Sequence, residues 1–129
     1  MNLFRQKFKN FEKAFLQLTE AIERFDKLTT LEKEGLVQRF EYTFELSWKI
    51  LKIFLETKGF YIKYPRDILK IAFQNEVIDN GEVWFEMLEF RNILSHTYSE
   101  ENFNKAVEKI NSEFYFEIKK LFEYLKNEQ

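Results

Sequence analysis

Apolar residues recur along the first segment at alternating steps of four and three: Phe4, Phe8, Phe11, Phe15, Leu18, Ile22 and Phe25. That spacing keeps one stripe on one face of a helix. Lys7, Lys9, Glu12, Lys13, Glu20 and Glu23 fall largely off it. The pattern predicts a helix over 3–27 that stops around Thr29 and Thr30. The second segment, 31–58, is apolar on more than one side. Val37, Phe40, Phe44, Leu51 and Leu55 form one stripe, while Tyr42, Leu46, Trp48, Ile50 and Ile53 populate other faces. A helix of this kind is buried on more than one side, so it is the central helix or one that also meets a second subunit. Gly59 stands where a glycine would end it.

Tyr64-Pro65-Arg66-Asp67 reads as a helix start with proline in the first position. Ile68, Leu69, Ala72 and Phe73 carry that helix for about ten residues. Asp79-Asn80-Gly81 is a turn, and the helix after it carries Trp84, Met87, Leu88, Arg91 and Leu94 with Glu82, Glu86 and Glu89 outward. Phe103, Val107, Ile110, Phe114, Ile118, Leu121 and Leu125 place a last helix over 100–126. With no internal repeat, linker or low-complexity stretch, residues 1–129 read as one all-α domain. The expected architecture is an up-and-down four-helix bundle with an additional short helix.

Composition narrows the function more than the fold. Cysteine is absent, which removes disulfides and thiolate chemistry. No run of about 20 apolar residues suits a membrane span, and the start of the chain lacks a signal-peptide pattern, so the expected location is cytoplasmic. Twenty basic residues face 22 acidic ones. A protein that grips phosphates non-specifically usually carries a basic excess, so a nucleic-acid site here must be a local pocket or be assembled between chains. Aromatics make up 19% of the chain, enough to fill a core with rings and also to cover a subunit interface.

His96 is the only histidine. A zinc site draws three or four ligands mainly from His and Cys, so no metal is expected. Gly-x-Ser-x-Gly and the glycine-rich phosphate loops are missing too. Glu41 and Glu45, like Glu82 and Glu86, lie one turn apart. They read as a solvated face, with Glu45 oriented to pair with Lys49, in preference to a metal-binding carboxylate bundle.

What remains is Arg91-Asn92-Ile93-Leu94-Ser95-His96-Thr97-Tyr98. On an unbroken helix Arg91, Ser95 and Tyr98 share one face, and Asn92 and His96 the adjacent one. Arg91 and His96 are separated by about 140° on an ideal helix. They converge only if the helix loosens near its end, where Thr97 and Ser99 stand. A fixed cation, an amide, a titrating base and a phenol suit a phosphate, since Arg holds oxygens bidentately and His moves protons near neutral pH. Equally, His at a helix C-terminus favours the dipole alone, and Arg and Tyr can simply pack. Spacing alone leaves both readings open.

Arg91-x4-His96-x-Tyr98 resembles the Arg-x4-His-x-Tyr motif of the HEPN superfamily. The stretches Arg39 to Lys49 and Asn80 to Asn92 resemble signatures of one branch, the nucleotidyltransferase substrate-binding proteins. These are encoded beside a minimal nucleotidyltransferase (MNT). The resemblance spans about residues 5–125. It implies a helical bundle that dimerises and pairs with an MNT protein as a toxin–antitoxin module. It further implies a metal-independent ribonuclease toxin with RNA as substrate and no cofactor, in which Arg91, Asn92 and His96 are catalytic. Tyr98 is then the site where the partner adds AMP. The alternative the same resemblance carries is a non-catalytic substrate-binding or regulatory subunit. If two chains bring their motifs together, the second histidine that acid–base chemistry needs comes from the other copy.

Overall fold

The computed structural model describes residues 2–96 and 99–128. Its elements are α1 (Leu3–Glu23), a 3-10 turn (Phe25–Lys27), α2 (Thr30–Thr57), α3 (Pro65–Gln74) and α4 (Gly81–His96). They are followed by α5 (Glu100–Lys109), a π-helical turn (Ile110–Phe114) and α6 (Tyr115–Asn127). No strand occurs among the described residues. The all-α bundle expected from the pattern is what forms.

Local chemistry sets the ends. The Asn2 side chain accepts the Arg5 N–H at 2.8 Å to start α1. The helix stops four residues short of the expected 27, because the chain tightens: Lys27 N–H reaches Arg24 O and Leu28 N–H reaches Phe25 O. Thr29 then opens α2 with a capping box, its hydroxyl accepting the Glu32 N–H while the Glu32 carboxylate accepts the Thr29 N–H. The paired bonds satisfy two donors that a helix start leaves free, and they hold the Glu32 carboxyl below its usual range. Gly59, at φ +94°, ends α2 with the Gly59 and Phe60 N–H groups on Glu56 O and Leu55 O, the paired bonds of a Schellman motif. The same motif ends α3, but there the left-handed residue is Glu76, at φ 59°.

The α2 helix is central, packing on α1, α3, α5 and α6. Its contact with α1 is close: the buried Thr43 hydroxyl bonds Arg39 O on its own helix and lies 3.3 Å from Ala14 O of α1. Phe8, Phe11, Phe15 and Leu18 of α1 are buried, whereas Phe4, Ile22 and Phe25 pack at the rim of the core. Phe15 stacks on Phe122 and Tyr115 of α6 at centroid distances of 4.6 and 5.6 Å.

The C-terminal helix is not uniform. A single α-helix over 100–126 was expected, and the π turn at Ile110–Phe114 interrupts it. All seven of its expected core residues are nevertheless buried. The wider turn brings Phe114 and its sequence neighbour Tyr115 both into the core. Phe114 then lies against Phe40 of α2 (5.3 Å) and Phe90 of α4 (5.7 Å), tying the helix that carries the motif to the central one. No helix among the described residues is long and apolar enough to cross a membrane.

Candidate functional site

Gly81 begins α4 against the Phe73 ring, where an added Cβ would sit 3.0 Å from ring carbons. The buried Trp84, Met87, Leu88 and Leu94 define the inward side of α4. Arg91 lies on that same side, two turns from Trp84. An arginine on a core-facing stripe has to meet an anion or leave a costly unpaired charge. It meets Glu45 of α2: Arg91 Nε–H donates to one carboxylate oxygen at 2.8 Å and Nη2–H to the other at 3.0 Å. Each side chain keeps 30% of its surface exposed. Nη1–H donates to Asn92 Oδ1 at 3.1 Å. Two aromatic contacts flank the pair, Phe44 with Trp84 and Phe90 with Phe114, each including a residue next in sequence to Glu45 or Arg91.

The carboxylates of α2 therefore depart from the expected solvated face. Glu45 turns to Arg91 and away from Lys49, whose ammonium lies 5.7 Å over the Trp48 ring. Glu41 is half-buried, and burial, then the charge of Glu45, raises its carboxyl above the usual range. Glu82 is exposed, while Glu86 pairs at 3.0 Å with Lys109, which also meets Glu113. No group of three His, Asp or Glu that could hold a metal occurs among the described residues.

His96 is the last residue of α4 and is exposed, with no hydrogen bond or ion pair to any described residue. The helix stays α-helical from Arg91 through His96, with Ser95 bonding back to Asn92 O. Convergence of Arg91 and His96 by loosening of the helix therefore does not occur within the described chain. Arg91 and Asn92 are brought together, and His96 is left on the outward side. Thr97 and Tyr98 lie outside the described residues, so the proposed modification site has no structural account. Ser99 caps α5 through the Asn102 N–H.

Glu45 is the site residue that sequence reasoning missed. Its signal was present: a carboxylate between Phe44 and Leu46 in an apolar stretch, and an arginine on the apolar stripe of another helix. The α2 helix also carries Tyr42, which is exposed, and Leu46 and Ile53, which are only partly covered. The Trp48 Nε1 atom is buried without a hydrogen-bond partner among the described residues.

Comparison with known proteins adds five findings. The family described as nucleotidyltransferase substrate binding protein like matches residues 6–127. The chain is 28% identical to a Haemophilus influenzae protein named "Probable ribonuclease HepT", over 78% of this chain and 75% of that one. Its fold resembles a crystal structure from Thermus thermophilus at TM-score 0.76 and 25% identity, covering 92% and 97% of the two chains. It also resembles a Haemophilus influenzae structure described as the fold of a substrate binding domain of a nucleotidyltransferase. That match has a TM-score of 0.67 at 27% identity, covering 97% and 98%. A tri-AMPylated Shewanella oneidensis HEPN toxin, solved in complex with its MNT antitoxin, aligns at TM-score 0.72 over 98% and 99% of the chains; at 18% identity the likeness is one of fold.

Proposed function

This chain belongs to the nucleotidyltransferase substrate-binding protein-like family, and on that premise we propose that it is the HEPN partner of a minimal nucleotidyltransferase, a metal-independent endoribonuclease toxin acting as a homodimer. One observation carries the reading. Arg91 is held inward with Asn92 at its tip, and His96 stands free at the exposed end of the same helix. Two copies packed through the partly uncovered side of α2 and α4 supply two arginines and two histidines to one cleft.

The chemistry that suits such a cleft is transesterification. One His96 takes the proton of an RNA 2′-OH as that oxygen attacks the adjacent phosphorus. The bond from phosphorus to the 5′-oxygen breaks, and the second His96 gives that oxygen a proton, leaving a 2′,3′-cyclic phosphate and a 5′-OH. Arg91 holds the charge developing on the phosphate, and Asn92 orients it. Tyr98, two residues past His96 in sequence, is the proposed AMP acceptor.

The test is RNA cleavage by the purified chain in EDTA, with light scattering to set its mass against the 15.9 kDa of one copy. The expected result is a dimer that cleaves, and a loss of about 10²-fold or more in His96→Ala. Activity that survives the change, or that EDTA abolishes, overturns the mechanism. Incubation with the MNT partner and ATP is expected to add AMP to the peptide containing Tyr98, and not in Tyr98→Phe. The second reading, a non-catalytic substrate-binding subunit, draws on the separation of Arg91 from His96 within one chain. A chain that binds the nucleotidyltransferase and never cleaves RNA favours it.

A further inference from the structure

Arginine has five N–H donors in a planar fork. Three of those of Arg91 are committed: Nε and one on Nη2 to Glu45, and one on Nη1 to Asn92. One N–H on each of Nη1 and Nη2 remains, and no described residue takes either. Glu45 occupies the side edge of the fork, formed by Nε and Nη2. The other edge, formed by Nη1 and Nη2, lies away from Glu45 and beside the exposed Asn92 carboxamide. A phosphate oxygen can therefore reach Arg91 without displacing the carboxylate.

From this geometry we infer that Glu45 is a positioning residue: it grips Arg91 side-on so that the uncommitted N–H groups at the end of the guanidinium, beside Asn92, meet an incoming RNA phosphate. The inference rests on the ribonuclease reading for its substrate, but the clamp itself is a property of the pair. A bidentate grip fixes both the position and the plane of a long side chain. The two anchors are themselves rigid: Glu45 follows Phe44, buried against Trp84, and Arg91 follows Phe90, packed on Phe114. A carboxylate beside a phosphate site would by charge alone oppose RNA. The side-on geometry turns that local cost into orientation.

Three measurements on the full chain decide it. The first is the Nε–H resonance of Arg91 by NMR at neutral pH, picked from the five arginines by its loss in Arg91→Lys. It is expected to be sharp and protected from exchange in the parent chain, and broadened in Glu45→Ala. An unchanged resonance overturns the clamp. The second is cleavage of a single-stranded RNA oligonucleotide, with thermal melts checking the fold of each variant. Glu45→Gln is expected to lower kcat by about 10- to 100-fold with little change in KM, and Glu45→Asp to recover part of the loss. In an Arg91→Ala background Glu45→Ala should cost nothing further, because the two act as one unit. Faster cleavage by Glu45→Gln than by the parent chain overturns the inference, since the carboxylate would then be masking Arg91. If the parent chain does not cleave, the ribonuclease reading fails by itself, and binding of the same oligonucleotide becomes the third measurement. Removing a negative charge tightens RNA binding by simple electrostatics. Weaker binding in Glu45→Gln therefore supports positioning, and tighter binding overturns it.

Discussion

Among the described residues two ion-paired cations join α4 to its neighbours, and they are built to different ends. Lys109, on α5, lies between Glu86 of α4 at 3.0 Å and Glu113 of the π turn at 2.9 Å. An ammonium is a compact point charge, and with two carboxylates around it this one is spent as a cross-link. Arg91 meets one carboxylate along one edge and an amide through Nη1, and keeps one N–H on each of Nη1 and Nη2 that no described residue takes. Both contacts are ion pairs between helices, both about a third exposed. The number of pairs does not separate a structural tie from a site. The donors left over, and the direction they face, do.

The comparison breaks most visibly in activity. Arg91→Ala is expected to lower RNA cleavage by about 10²-fold or more, the scale of one lost donor to a developing oxyanion. Lys109→Ala should leave the rate near that of the parent chain. If the lysine change is as damaging as the arginine change, the distinction between spent and available cations is wrong. Stability should register the Lys109 change even where activity does not. Losing Lys109 leaves Glu86 and Glu113 facing each other, at an expected cost of about 1 kcal/mol for a pair of part-exposed contacts. Added salt should shrink that difference in a thermal melt. The hydrogen bonds to Glu113 and Glu86 raise the Lys109 ammonium above its usual range. Its contribution is therefore fully present below pH 10.5 and is lost only as pH climbs through the raised value.

Much of this was legible in the sequence because it obeys period. The α1 stripe, the two-sided α2, Pro65 opening α3 and Gly59 closing α2 all follow from local rules that a single chain displays. The π turn was not, because Phe103, Val107, Ile110, Phe114 and Ile118 keep steps of three and four across it. Only the burial of both Phe114 and Tyr115 betrays the wider turn. Glu76 was missed because a charged residue at positive φ carries no local signal; it is tolerated where Val77, next along, is buried and its N–H is bonded to Ala72 O. At the site the motif positions were plain, yet their relation was not. The pairing of Arg91 with Glu45 spans 46 residues, and no spacing rule reaches that far. The assumption that neighbouring glutamates on a helix are solvated concealed it.

The smallest effect probes the ground beneath the arginine. Burial first, and Glu45 second, raise the Glu41 carboxyl above its ordinary value of 4.5. A carboxyl whose folded pKa is raised holds its proton more tightly when folded. Below the unfolded pKa both states are protonated and nothing is lost; as pH rises through the raised value, stability falls and then levels off. Glu41→Gln keeps the shape and removes the charge. Its melting temperature should match that of the parent chain near pH 4 and exceed it at pH 7. Part of the carboxyl stays in water, and screening keeps the gain to about 1–3 °C. Arg91 bears on this through its pairing with Glu45, since removing the guanidinium leaves the Glu45 charge uncompensated. In an Arg91→Ala background the gain from Glu41→Gln at pH 7 should widen, and in a Lys109→Ala background it should not. An equal gain in both backgrounds would mean that Glu41 responds to burial alone and that the Arg91 charge does not reach it.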